Sequence, residues 1–138
     1  MAMTWRCPRC GRRFANRNQS HSCLSGSLDD FLRGKPRAIV TLFRSVVALA
    51  RELGPVTVIP HETKLSLQAR INFAGVSFRR EHLLVELLLP TRVDHARLQA
   101  LPPHSATSFA HLVRIARPAD LDVEFRGWLA QAYAIGAR

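Results

Sequence analysis

The residues with the clearest chemistry in this chain are four metal-ligand types near its start. Cys7 and Cys10 form a Cys-x-x-Cys pair, and His21 and Cys23 form a second close pair ten residues later. Three thiolates and one imidazole grouped in two pairs suit tetrahedral Zn²⁺. Four protein ligands leave no open position for water, and residues 1–26 contain no Asp or Glu that could act as a general base. We therefore expect a structural zinc rather than a catalytic one.

The spacing of the second pair leaves an alternative open. His21 and Cys23 are separated by one residue, which is closer than the three to five residues usual for a second ligand pair. The alternative is a reduced cysteine pair with a surface histidine nearby. An odd total of three cysteines fits disulfides poorly, and a reducing cytosol favours metal. Trp5 and Phe14 provide apolar side chains on which a small module over residues 3–24 can pack.

Within residues 1–26, five arginines lie near the cysteines and there is no acidic residue. Residues 1–44 carry nine basic and two acidic residues, and so hold seven of the ten net positive charges of the 138-residue chain. Because Arg donates bidentately to phosphate, we interpret this module as a surface for nucleic acid, another polyanion or an acidic protein. A basic face that only aids solubility stays open, and the loop is too short for a base-reading helix. The candidate polyanion-binding residues are Arg6, Arg9, Arg12, Arg13 and Arg17.

After a short Ser/Gly connection, the residue patterns predict an α+β domain over 28–138. Ser27 and Asp30 form a capping box for a short helix. Apolar residues at helical spacing predict helices over 37–53 and 119–135, and Thr91 with Asp94 predicts a short helix ending at Leu101. Alternating or apolar runs predict the remaining segments as strands. These strands cover 57–59, 64–70, 73–80, 82–89 and 111–116. We expect a mainly antiparallel sheet with the two longer helices on one face.

The uncovered sheet face offers a second candidate site. Polar residues alternate with Leu65 and Leu67 along one strand, and a carboxylate interrupts an apolar strand. The possible ligand-binding residues are Lys64, Ser66, Gln68, Arg70 and Glu86. We expect Glu86 to pair with Arg70 or Lys64 across the sheet. This face supports an alternative function in protein interaction or small-ligand binding.

The remaining candidates carry less information. The sequence contains no Gly-rich phosphate loop, no G-x-S-x-G motif and no cysteine outside the zinc set, so an unrecognised enzyme is the third alternative and no catalytic residue is proposed. His61 precedes Glu62 at a strand end, while the other histidines lack metal-binding spacing. These are His82, His95, His104 and His111. Arg37, Arg44 and Arg51 lie seven residues apart on one helix face, which we interpret as solvated.

The apolar segments are too short for a membrane-spanning helix. The richest stretches, 83–89 and 39–50, are interrupted by Glu86 and Arg44 and stay well below the ~20 residues that a span requires. The first residues also lack the apolar core of a signal peptide. We expect a soluble, cytoplasmic protein without membrane partners.

The sequence resembles a known combination of modules. The segments 5–14 and 18–23 are similar to the N-terminal finger of a group of small bacterial proteins, whose following domain belongs to domain of unknown function 5655. Further matches span most of residues 28–138, namely Gly54-Pro55-Val56, Phe73-Ala74, Asp120-Leu121-Asp122, Trp128-Leu129 and Ala132-Tyr133. The resemblance implies an α+β domain with an antiparallel sheet. It implies no activity and no catalytic residue.

Overall fold

The computed structural model describes residues 4–8, 13–17, 27–102 and 107–138. Within these ranges, a two-stranded antiparallel pair comes first, and a six-stranded sheet with three helices follows. The helices are α1 (Leu28–Leu32), α2 (Arg37–Arg51) and α3 (Val123–Gly136), and a 3-10 turn covers Pro118–Asp120. The strands are β1 (Trp5–Arg6), β2 (Arg13–Phe14), β3 (Thr57–Pro60), β4 (Lys64–Gln68), β5 (Asn72–Phe78), β6 (Leu83–Leu89), β7 (Leu98–Ala100) and β8 (Phe109–Ile115).

The larger sheet has the strand order β3-β4-β5-β6-β8-β7, and each neighbouring pair is antiparallel. The predicted α+β class with an antiparallel sheet is therefore confirmed. β6 lies between β5 and β8, so both of its edges are hydrogen-bonded. One face of β6 is buried under the helices, whereas Leu84, Glu86 and Leu88 on the other face are half-buried.

Helices α2 and α3 enclose the core against the sheet. α3 contacts β5 and β6, while α2 contacts β6 and α3. Along β6, residues Leu83, Val85, Leu87 and Leu89 are all fully buried. The helices contribute side chains such as Phe43 and Phe125 to the same cluster. Burying each large apolar side chain contributes roughly 1.5–3 kcal/mol, so this layer supplies most of the stabilisation.

Local signals set the first two helices as predicted. The Asp30 backbone N–H donates to Ser27 Oγ at 3.2 Å, and the Ser27 N–H donates to Asp30 Oδ2 at 3.3 Å, which completes the capping box. Gly34 follows α1 with φ of +79°, a conformation that favours glycine. Pro36 then precedes the first residue of α2, where its missing N–H costs nothing.

The predicted helix between Thr91 and Leu101 is wrong. The chain forms a loop there and then the short strand β7, in which Leu98 pairs with Val113 of β8. The Val93 N–H donates to Nε2 of the buried His111 at 3.0 Å. These long-range bonds satisfy backbone groups that a helix would have satisfied locally, so tertiary pairing overrides a weak capping signal.

A bulge in β5 adjusts the sheet to α3. Leu67 pairs with Ala74 and Gln68 pairs with Asn72, so Phe73 is the extra residue on its strand. The Phe73 ring is fully buried and stacks edge-to-face on Tyr133 with ring centroids 5.3 Å apart. The bulge therefore directs an aromatic side chain into the contact between sheet and helix.

Within the described ranges, none of the helices combines the length and the apolar character needed to span a membrane.

Candidate functional site

The strand pair β1–β2 displays two arginines directly opposite each other. Arg6 is the register partner of Arg13, and Trp5 is the partner of Phe14. Directly opposite residues of an antiparallel pair project from the same face with Cβ atoms about 5 Å apart. Arg6 and Arg13 are both exposed. Two guanidinium groups on one face can both donate to the same anion.

The other predicted polyanion-binding residues are placed only in part. Arg17 is exposed and lies three residues after β2. Arg9 and Arg12 lie outside the described residues. The structure thus brings Arg6 and Arg13 together on one face, and the role of the five arginines in binding stays a prediction.

One predicted zinc ligand is described. Cys7 directly follows β1, and it is 3% exposed. Cys10, His21 and Cys23 lie outside the described residues, and within the described ranges no three His, Cys, Asp or Glu side chains group as a metal site. A buried thiol beside a strand pair suits a metal-held hairpin, and the soft donor set fits Zn²⁺. The zinc site stays a prediction.

The structure brings together only some of the polar residues that the sequence predicts for the sheet face. Ser66 pairs with Gly75, which pairs with Glu86, so Ser66 and Glu86 share one face with a glycine between them. Arg70 lies in the turn after β4 and donates from Nη1 to the Arg138 carbonyl at 2.8 Å. Lys64 lies in the neighbouring row opposite Ser77.

Two further observations concern the residues of this face. Gln68 donates from Nε2 to Asn72 Oδ1 at 3.1 Å. No ion pair joins Glu86 to Lys64 or Arg70, all of which lie in the described part of the chain. The expected pairing of Glu86 is therefore wrong, because Arg70 leaves the strand and bonds near the end of α3. Ligand binding at this face stays a prediction.

Ser66 contacts a histidine that the sequence had placed at a strand end. His61 Nε2 and Ser66 Oγ are 2.8 Å apart, and the His61 N–H donates to the Lys64 carbonyl at 2.8 Å. Ser66 is only 6% exposed. A nucleophilic serine must reach a substrate, so this buried hydroxyl serves the turn between β3 and β4 better than it would serve catalysis.

A charged cluster joins the loop before β7 to the start of α3. Arg97 donates from Nη1 to both carboxylate oxygens of Asp122, at 2.9 and 2.8 Å, and from Nη2 to the Asp120 carbonyl at 2.8 Å. His95 Nε2 lies 2.6 Å from Glu124 Oε2. Both basic residues also pack on Trp128, with the His95 ring centroid 5.0 Å from that of Trp128.

Electrostatics at this cluster favour the ionised carboxylate. The pKa of Asp122 is lowered, first by the hydrogen bond from the Phe125 N–H and then by the bond from the Arg97 side chain. Asp122 thereby caps α3 while it binds Arg97. The cluster is a structural clamp whose polar groups satisfy one another.

The clamp was missed at the level of sequence. Arg97 and Asp122 are separated by 25 residues, and no local spacing marks such a pair. Asp120, Asp122 and Trp128 were placed in the predicted helix over 119–135 and among the family matches, with no link to Arg97. The wrongly predicted helix over 91–101 also hid the loop that carries His95 and Arg97.

The remaining histidines do not form a second metal site in the described ranges. His111 is fully buried. Its Nε2 accepts a hydrogen bond from the Val93 backbone N–H, and its Nδ1 is 2.9 Å from the Phe109 carbonyl oxygen. The pKa of His82 is lowered, first by burial and then by Arg114 and Arg79. His104 lies outside the described residues.

The residues that carry the family resemblance meet in space. The Tyr133 hydroxyl donates to the Pro55 carbonyl at 3.1 Å, and its ring packs on Phe73. Asp120, Asp122 and Trp128 meet in the clamp. The chain belongs to the family described as Domain of unknown function (DUF5655), whose model matches residues 28–136. No curated protein and no solved structure matches the chain.

Proposed function

We propose that this protein binds a polyanion, with nucleic acid as the polyanion that fits best, through its Arg-rich finger. The observation that carries the proposal is the pair Arg6 and Arg13, which project from one face of β1–β2. Two guanidinium groups at this separation can grip neighbouring phosphate oxygens, and Arg binds phosphate with a bidentate fork. Arg17 extends the same basic module.

A structural zinc would support this role by fixing the positions of Arg6 and Arg13 on β1 and β2. The metal would be bound by Cys7, Cys10, His21 and Cys23, and Cys7 comes directly after Arg6. Two strands of two residues each are too short to be stable alone. Metal binding would supply the missing stabilisation, as it does for other small modules.

The charge distribution sets the kind of binding to expect. Seven of the ten net positive charges lie in residues 1–44. Such a surface attracts phosphate backbones without reading base sequence, so the affinity depends steeply on salt. The sheet face is the weaker alternative for a ligand or protein site, because Ser66 is engaged by His61 and Arg70 by Arg138.

The test measures binding of a labelled DNA duplex by fluorescence anisotropy over a range of salt concentrations. The variant carries Arg6→Gln, Arg13→Gln and Arg17→Gln. We expect weaker binding, with the slope of log K against log salt reduced by about 0.9 for each phosphate that the variant no longer neutralises.

The matched control carries Arg79→Gln, Arg80→Gln and Arg114→Gln, which removes the same charge from exposed positions near the end of β5, the start of β6 and the end of β8. The control should keep most of the affinity and the slope. Equal loss in both variants would reduce the effect to net charge, and salt-independent binding would contradict the proposal outright.

A further inference from the structure

A groove opens on the helical side of the domain, and none of the finger residues lines it. It lies between α1, α2 and β3 and has a volume of about 480 Å³. Small-molecule sites typically range from about 300 to 1,000 Å³. The groove is large enough to hold much of a small organic molecule.

The lining of the groove combines an apolar floor with a cationic rim. Its floor is formed by Leu28, Phe43, Val47 and Val58. Arg44 and Arg51 lie on α2 beside it, seven residues and therefore about 10.5 Å apart along the helix axis. Ala48 lies between them, and its small side chain leaves the middle of the groove open.

Among the residues that the structure describes, no ion pair neutralises the charges of the rim. Arg44 makes no hydrogen bond or ion pair in the described ranges, and Arg51 donates only a long bond of 3.4 Å to the Val56 carbonyl. Glu52 also lines the groove, next to Arg51. An anion would therefore be repelled at the Glu52 end and attracted most strongly by Arg44.

We infer that this groove binds a small amphipathic anion, with an apolar body on the floor and one carboxylate or phosphate at Arg44. Charge complementarity argues for the anion, and the apolar side chains that line the floor argue for an apolar body. A docked helix would need apolar anchors over a longer stretch than this floor of four residues provides.

The test uses anilinonaphthalene sulfonate, an aromatic anion, and phenylnaphthylamine, which has the same rings without the sulfonate. Both probes are titrated by fluorescence into the full chain, and circular dichroism checks that each variant is folded. We expect saturable binding of the anionic probe and at least tenfold weaker binding of the neutral one. Decanoate and decyl phosphate should displace the anionic probe, and the better competitor identifies the headgroup.

Three variants locate the site. Arg44→Gln should weaken the anionic probe about tenfold, as expected for one charge-assisted hydrogen bond. Arg37→Gln removes the same charge one heptad earlier on α2, outside the groove, and should change the affinity less than twofold. Ala48→Trp fills the groove without altering charge and should abolish binding of the probe.

Three results would overturn the inference: equal effects of Arg44→Gln and Arg37→Gln, equal affinity for the neutral probe, or unchanged binding by Ala48→Trp. A DNA duplex provides the last comparison. If Arg44→Gln weakened the duplex as strongly as the finger variant does, Arg44 would belong to a polyanion surface and the small-ligand site would be rejected. Loss of duplex binding by the finger variant alone leaves the two sites independent.

Discussion

Arg97 makes several directed contacts in the clamp between the loop before β7 and the start of α3. Its planar guanidinium binds both oxygens of Asp122 and the Asp120 carbonyl, and it lies over Trp128 with Cζ 5.6 Å from the ring centroid. Lysine could supply the charge but not this set of directed bonds. At the residue scale, Arg97 therefore helps to hold the start of α3 against the loop before β7, together with the contact between His95 and Glu124.

The fall in the free energy of unfolding at acidic pH, the acid limb of the stability curve, tests this cluster. Because the folded-state pKa of Asp122 is lowered, its contribution is complete above the unfolded value of about 4 and is lost as the pH falls through the folded value. Asp122→Ser keeps an oxygen that can cap α3 but removes the carboxylate. We expect the free energy of unfolding, measured in urea, to depend less on pH in this variant below about pH 5.

Asp94→Ser is the control for that measurement. Asp94 is exposed and makes no hydrogen bond or ion pair in the described part of the chain. Its variant should follow the wild-type pH profile. An unchanged acid limb in Asp122→Ser would show that the carboxylate contributes no pH-dependent stability.

At the scale of elements, α3 contains two glycines with opposite surroundings. A Cβ added at Gly136 would lie 2.7 Å from Phe73 Cδ1, whereas a Cβ at Gly127 would meet no atom within 4 Å. The Gly136 carbonyl also accepts from the N–H groups of Arg70 and Ile71, at 2.8 and 3.0 Å. The absence of a side chain at Gly136 thus allows α3 to approach β5 closely.

These surroundings predict that replacing glycine with alanine changes the free energy of unfolding in opposite directions at the two positions. Gly136→Ala should destabilise the protein by about 1–3 kcal/mol, because Phe73 is fully buried and has little room to move. Gly127→Ala should stabilise it by about 1 kcal/mol through helix propensity. Urea unfolding measures both, and destabilisation of equal size at the two positions would contradict the packing explanation.

At the scale of the whole molecule, the predicted zinc module and the α+β domain occupy separate parts of the sequence. The family match covers residues 28–136, while the four ligands lie before it. We expect about one zinc per chain in purified protein. A chelator should abolish duplex binding while the helical circular dichroism signal persists, because α2 and α3 lie within the matched region.

Two variants sharpen that measurement. Cys23→Ser should lower the zinc content, whereas His82→Gln, outside the ligand set, should retain it. In Trp128→Phe, Trp5 is the sole tryptophan and its emission should respond to the chelator. Full zinc content in Cys23→Ser, or no zinc in the wild type, would contradict the ligand assignment.

Much of the fold could be predicted because its signals are local. The capping box at Ser27 and Asp30, the helical spacing along α2 and the alternation of Leu65 and Leu67 each involve neighbouring residues. The loop and strand over 91–101 could not be predicted in this way. There, the bond from Val93 to His111 and the pairing of Leu98 with Val113 decide the outcome.

The same distinction between local and long-range signals applies to the candidate sites. The sequence by itself determined which residues are the predicted zinc donors and where arginine is concentrated, because ligand type and charge are properties of residues. Only the tertiary structure placed Arg6 opposite Arg13, gathered the clamp around Arg97 and turned one edge of the Arg44 helix face into a groove. Those features depend on strand register and helix packing, which bring together residues that no sequence spacing connects.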